Sequence, residues 1–220
     1  MRRVLLNTIL ALALAGGAVA RPRAPPADLA ALRAQALLAT LNAELLSHPS
    51  ATATLQAWCD ARGLAPGARI VARRREEDGD PAPTAEVRAA LGAGPDEPLA
   101  WRGVALSCGD HVLSVADNWY RPGRLTAEMN RRLAETQTPF GVVVADLHFT
   151  RRTLSATVLY HPLPEGWVRP GATLAGGQRR IPPIVLTHRA VLSDAGGVPF
   201  SLVTENYTAE TIAEPVTSSR

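Results

Sequence analysis

Apolar residues recur at helical spacing early in the chain and in paired, strand-like runs later. Leu29, Leu32, Leu37, Leu41 and Leu45 predict a helix over about 29–46, with Asp28 placed to cap it. His48-Pro49-Ser50 ends it, and Ser50 or Thr52 starts a second helix that carries Leu55, Trp58 and Cys59 and closes at Gly63. From residue 68 the period shifts to two. Residues 68–73 read as a strand, 73–83 as a charged loop, and 84–91 as a short helix ended by Gly92. Residues 99–108 and 111–119 are β-rich runs around Gly109-Asp110, a hairpin signal that Pro122 terminates. A helix follows over 125–135, then a turn at Thr138-Pro139-Phe140-Gly141, then two strands over 142–146 and 154–160. Residues 161–183 are rich in Pro and Gly and read as a long loop or flap. Strands over 184–192 and 198–207 finish the pattern. Helices first and consecutive hairpins afterwards predict a single α+β domain, an antiparallel β-sheet packed by helices.

The ends of the chain do not follow this pattern. Residues 4–15 are almost wholly apolar behind Arg2-Arg3, and Ala18-Val19-Ala20 is a small-x-small cleavage signal. Residues 1–20 therefore read as a signal peptide cut after Ala20, since the apolar run is shorter than the roughly 20 residues of a membrane span. Residues 21–27 form a Pro-rich flexible leader, 28–212 the folded domain, and 213–220 a polar, disordered tail. Nothing after the signal is expected to enter a membrane, and the protein is expected outside the cytoplasm, periplasmic or secreted, with a monomer favoured. The formal charge of +3 includes Arg2 and Arg3, so cleavage lowers it by two. With no basic block interleaved with aromatics, no nucleic-acid partner is expected.

Every basic residue apart from histidine is arginine, a bias typical of GC-rich bacterial genomes. The absence of lysine excludes a Schiff-base lysine and a phosphate-loop lysine. The five histidines show no metal-ligand spacing, so no metal and no cofactor are expected. Cys59 and Cys108 either pair, as an oxidising compartment permits, or are buried small hydrophobes.

Arg102 and Glu205 each interrupt an apolar strand-like run. A charge in such a place must face water or be paired. Periodicity leaves two readings open. Both side chains point outward on amphipathic strands, or both share one pocket, a fixed cation for a carboxylate with an acid/base or hydroxyl acceptor opposite. The turn at Thr138-Pro139-Phe140-Gly141 is either ordinary or presents backbone N–H groups to an anion.

Trp101-Arg102 before an apolar strand, a Gly-Asp turn and a second strand ending at Pro122 resembles the chorismate lyase-like family. So do the Thr138-Pro139-Phe140-Gly141 turn, Ser50-Ala51-Thr52, and Gly197-Val198-Pro199 followed by Leu202-Val203-Thr204-Glu205. The resemblance spans roughly residues 29–210. It implies a small ligand enclosed beneath two helical flaps, and elimination of pyruvate from chorismate to leave 4-hydroxybenzoate, without cofactor or metal. It places Arg102 and Glu205 in catalytic positions, with Arg102 holding the carboxylate and Glu205 as acid/base facing apolar walls. It gives Phe140, Gly141, Thr138 and Ala51 to substrate binding. The partner implied is a small aromatic or enolpyruvyl carboxylic acid. A binding module for such an acid, without turnover, is the alternative, since ligand-sensing domains share this general fold.

Overall fold

Six strands pair into one antiparallel sheet: β1 (Ile70–Arg74), β2 (Ala100–Cys108), β3 (His111–Tyr120), β4 (Thr150–Val158), β5 (Ile184–Ser193) and β6 (Pro199–Thr208). Their order across the sheet is β1-β2-β3-β6-β5-β4. The structure, a computed structural model, describes residues 26–75 and 80–214. The expected signal peptide, and residues 21–25 of the leader, lie outside that range. Among the described residues the helices are α1 (Ala27–Ser47), α2 (Ala51–Arg62), α3 (Ala85–Leu91), α4 (Ala127–Glu135) and α5 (Phe140–Val143). The chain is thus α+β, as its pattern predicts.

The alternation along the strands sorts side chains onto two faces. On one face α1 and α2 bury Leu38, Leu41, Leu45 and Leu55 against Val104, Leu106, Val203 and Tyr207. On the other face α3 sets Val87 and Leu91 against Val191 and Leu202. Gly109 sits at φ 57° in the two-residue turn that aligns Cys108 with His111. A side chain would be strained in that left-handed conformation.

Three stretches differ from the sequence reading. Residues 142–146 are helical, not a strand: α5 runs into a 3₁₀ turn at Ala145–Leu147. The β-branched run Val142-Val143-Val144 misleads, because Val143 and Val144 are buried in a separate cluster with Met129 and Leu133 rather than paired in the sheet. β4 begins at Thr150, four residues before the expected start at 154. It is an edge strand, largely exposed, so Arg151 and Arg152 fit where an apolar pattern is missing. α1 begins before Asp28, which lies in its first turn instead of at the cap. Moreover, α1 is long and apolar enough to cross a membrane by length and composition, contrary to the expectation that no segment after the signal is. Its outer face carries Ala, Thr and exposed Leu29 and Leu46, so few charges dilute it.

Cys59 and Cys108 are bonded, and both are fully buried. The bridge ties α2 to the end of β2 across 49 residues of sequence. Residues 161–183 fold beside α1: Ala31 and Ala34 face Pro162 and Ala175 across a groove, and this loop contributes nothing to the cavity described next. Ala213 and Glu214, expected in the tail, are held by Arg62 and Arg33.

Candidate functional site

β2, β3 and β6 lie side by side in the sheet, and β5 and β4 continue it, so residues two apart on each strand point to one concavity. Arg102 and Val104 come from β2, Asn118 from β3, Val203 and Glu205 from β6, and Arg151 from β4. Ser50, Ala51 and Thr52 at the start of α2, and Phe140 and Gly141 at the start of α5, form the opposite wall. The cavity is about 50 Å³ and partly open to solvent. A single water needs roughly 10–15 Å³, so the room as it stands is that of a few waters, and a ring-sized ligand enters where the walls give way.

The two helix starts meet closely. The Ser50 hydroxyl caps α2 by accepting from the Ala53 N–H at 3.2 Å. A Cβ at Gly141 would stand 3.2 Å from that same oxygen. Glycine therefore lets α5 approach α2 here without a shift of either helix. Phe140 is the first residue of α5, where a backbone N–H has no partner within the helix. Its ring stacks at 6.3 Å on Phe200, in an aromatic group with Tyr120.

Arg102 is 2% exposed. Its Nη2 donates to the backbone carbonyls of Thr136 at 3.3 Å and Thr138 at 3.2 Å, and its Nε is enclosed without an acceptor. It makes no ion pair with an acid among the described residues. Burial, with Arg74 nearby, pulls its pKa below the ordinary arginine value. A buried cation without a counter-ion is costly, and a ligand anion would relieve that cost. Thr138, expected to line the pocket, does not: it faces a separate groove between α2 and β1, and it serves the site through the carbonyl that holds Arg102. Residues 136–139 form no helix, strand or turn; the carbonyls of Thr136 and Thr138 meet Arg102, while that of Gln137 accepts from the Ala72 N–H of β1 at 2.7 Å.

Glu205 is 6% exposed, but its walls are not apolar as expected. Its Oε2 accepts from Arg151 Nη2 at 2.6 Å and from the Tyr207 hydroxyl at 3.0 Å. Burial pushes the Tyr207 hydroxyl well above the usual phenol range, and the neighbouring Glu205 charge adds to this, so the phenol stays protonated and donates. Burial lowers the Arg151 pKa, but Glu205 and Tyr207 outweigh it and the net direction is upward. His188 stands opposite Glu205 on β5, is fully buried, and shares a hydrogen bond with Asn42 of α1 at 2.8 Å. Burial lowers its pKa and favours the neutral ring. Its neighbour Arg189 points to the other face and pairs with Glu86.

Five of the six residues marked by sequence therefore line one cavity: Arg102, Glu205, Phe140, Gly141 and Ala51. Arg151 went unmarked because β4 shows no apolar period. The signal available was Glu205 itself, since a buried acid requires a partner cation. Asn118 and Ser201 were unmarked as well; they bond to each other at 2.6 Å in the cavity wall.

An α+β domain with a small cavity lined by Arg102, Arg151 and Glu205 is the class that fold and site define. The chain belongs to the family of the uncharacterized protein y4mC of Sinorhizobium fredii (strain NBRC 101917 / NGR234). The two are 47% identical over 194 residues, 87% of this chain and 81% of that protein. The sequence matches no protein-family model. Among solved structures it is similar to PhnF from Mycobacterium smegmatis, with a TM-score of 0.49 and 15% identity, over 76% of this chain and 66% of that one. It is also similar to the ligand-binding domain of a putative GntR-family transcriptional regulator from Bordetella bronchiseptica. That TM-score is 0.40 at 19% identity, over 66% of this chain and 86% of that one. The match spans less than two thirds of PhnF, and 64% of the possible transcriptional regulator YydK from Bacillus subtilis.

Proposed function

We propose that this protein binds a small carboxylic acid, aromatic or enolpyruvyl, in the cavity between the sheet and the starts of α2 and α5. The observation that carries this reading is Arg102, a buried guanidinium with no acid partner among the described residues that borders the cavity. The ligand carboxylate takes the place of the missing counter-ion, and the Phe140 N–H supplies a second donor. Asn118, Ser201 and the hydroxyl of Thr52 offer polar contacts along the walls.

A second reading, elimination of pyruvate from chorismate to leave 4-hydroxybenzoate, draws on the meeting of Arg102 and Glu205 in one cavity. Against it stands the commitment of Glu205 Oε2 to two donors, Arg151 and Tyr207, which hold that oxygen away from a substrate. One pair of measurements separates the two. Binding predicts that 4-hydroxybenzoate at a hundred times its Kd stabilises the protein by about 2.7 kcal/mol in thermal unfolding, while chorismate incubated with concentrated protein yields no 4-hydroxybenzoate. Formation of product that Glu205→Ala abolishes would establish the lyase instead.

Export belongs to the same proposal. It is supported by the leader-like residues 1–20 and by the Cys59–Cys108 bridge, a bond suited to an oxidising compartment. Protein recovered from the periplasm or medium should begin at Arg21. Recovery from the cytoplasm with residues 1–20 intact would overturn this part.

A further inference from the structure

Among the described residues three charged side chains border the cavity: Arg102, Arg151 and Glu205. Two are cations and one is an anion. Arg151 and Glu205 are 5% and 7% exposed at their side chains and lie 2.6 Å apart, so they neutralise each other. Arg102 makes no such pair. The described lining of the cavity therefore carries one unit of positive charge in excess.

The placement of the three follows from the sheet. Arg102 stands on β2 opposite Asn118, whereas Arg151 stands on β4 opposite Leu192, four strands away in the order β2-β3-β6-β5-β4. At about 4.8 Å per strand the two backbones are roughly 19 Å apart. Both long side chains reach inward from opposite ends of the concavity, and Arg151 passes over β5 to meet Glu205 on β6. The far end of the cavity is thus an internally balanced pair, and the near end is a lone cation.

Resting on the proposal that Arg102 binds a carboxylate, we infer that Arg151 is a specificity-determining residue: by neutralising Glu205 it sets the cavity to accept a ligand of single negative charge whose far end is neutral and polar. A monoanion brings the enclosed charge to zero. A dianion leaves one negative charge in excess beside Glu205, where enclosure makes like-charge repulsion expensive. Without Arg151, the Glu205 charge would cancel that of Arg102, and the cavity would have no use for an anion. Glu205 is then an acceptor for a neutral hydroxyl or amide at the far end of the ligand, held in place by Arg151 and Tyr207. The same arithmetic disfavours chorismate, which carries two carboxylates, and favours a simple hydroxy acid.

The test compares three probes of similar size by calorimetric titration: 4-hydroxybenzoate as monoanion, terephthalate as dianion and 4-hydroxybenzamide as neutral analogue. The wild-type protein should bind 4-hydroxybenzoate at least tenfold more tightly than either of the others. Glu205→Gln raises the enclosed charge by one and should shift the ratio at least tenfold toward terephthalate. Arg151→Gln lowers it by one and should shift the ratio at least tenfold toward 4-hydroxybenzamide. Each single variant strands a buried charge and risks misfolding. The double variant Arg151→Gln with Glu205→Gln strands none, keeps the enclosed charge of the wild type, and should keep the preference for 4-hydroxybenzoate. Equal binding of monoanion and dianion by the wild type overturns the inference, as does a ratio unmoved in a folded single variant or a preference lost in the double variant. Loss of the underlying reading looks different: then no probe binds, or Arg102→Gln leaves 4-hydroxybenzoate affinity unchanged.

Discussion

Arg102→Gln weakens binding of 4-hydroxybenzoate by about a hundredfold or more, the equivalent of about 2.7 kcal/mol. A charged pair of hydrogen bonds contributes that much where water is excluded, and glutamine keeps the length of the side chain but not its charge. The protein remains folded. In the native state the guanidinium is desolvated, with no acid among the described residues to offset it, so its removal relieves one cost. The carbonyls of Thr136 and Thr138 lose their charged donor, which adds another. The two oppose each other, and the free energy of unfolding should move by no more than about 2 kcal/mol. Calorimetric titration beside urea unfolding separates the two effects. Unchanged affinity with unchanged stability would place the ligand elsewhere.

Replacing both cysteines, Cys59→Ala with Cys108→Ala, lowers the stability of the domain by about 4 kcal/mol. That figure is the chain-entropy value for closing a loop of 49 residues. It is a large share of the roughly 5–15 kcal/mol that holds a domain together. Urea denaturation of the bridged and alanine forms gives the difference directly. A loss under about 1 kcal/mol would mean that packing of α2 on the sheet suffices without the bond. The bridge bears on the site too, because α2 carries Ser50, Ala51 and Thr52 in the cavity wall. Leu55 and Trp58 bury the same helix, and the Trp58 indole donates to the Thr211 carbonyl at 2.9 Å. The alanine form should therefore still bind, with a weaker grip at that wall.

The architecture was legible wherever one face of an element is buried and the other is not. The hairpin of β2 and β3, the final pair β5 and β6, and the helices α1 to α4 all show the period that their burial demands. Legibility failed at the two places where burial and period part. The residues around Val143 are apolar without being sheet, and β4 is sheet without being apolar. The site followed the same rule. Arg102 and Glu205 were visible as charges set in apolar runs, whereas Arg151, on an exposed edge strand next to Arg152, looked like solvated surface. Period alone could not tell whether Arg102 and Glu205 faced water. Strand order decides it, since β3 stands between their strands and all three turn the same face inward.

The two cations of the cavity are mounted differently. Arg102 rises from β2, which has a strand on either side, and two carbonyls clasp its Nη2. Arg151 rises from β4, which has a neighbour on one side only and a break in register between Thr153 and Ser155. Its aim depends on Glu205 and Tyr207 more than on its own backbone. The cavity thus has a stiff end and a compliant end. A ligand is registered by its acid group against the first, while differences in its length are taken up at the second, where β4 is paired on one side only.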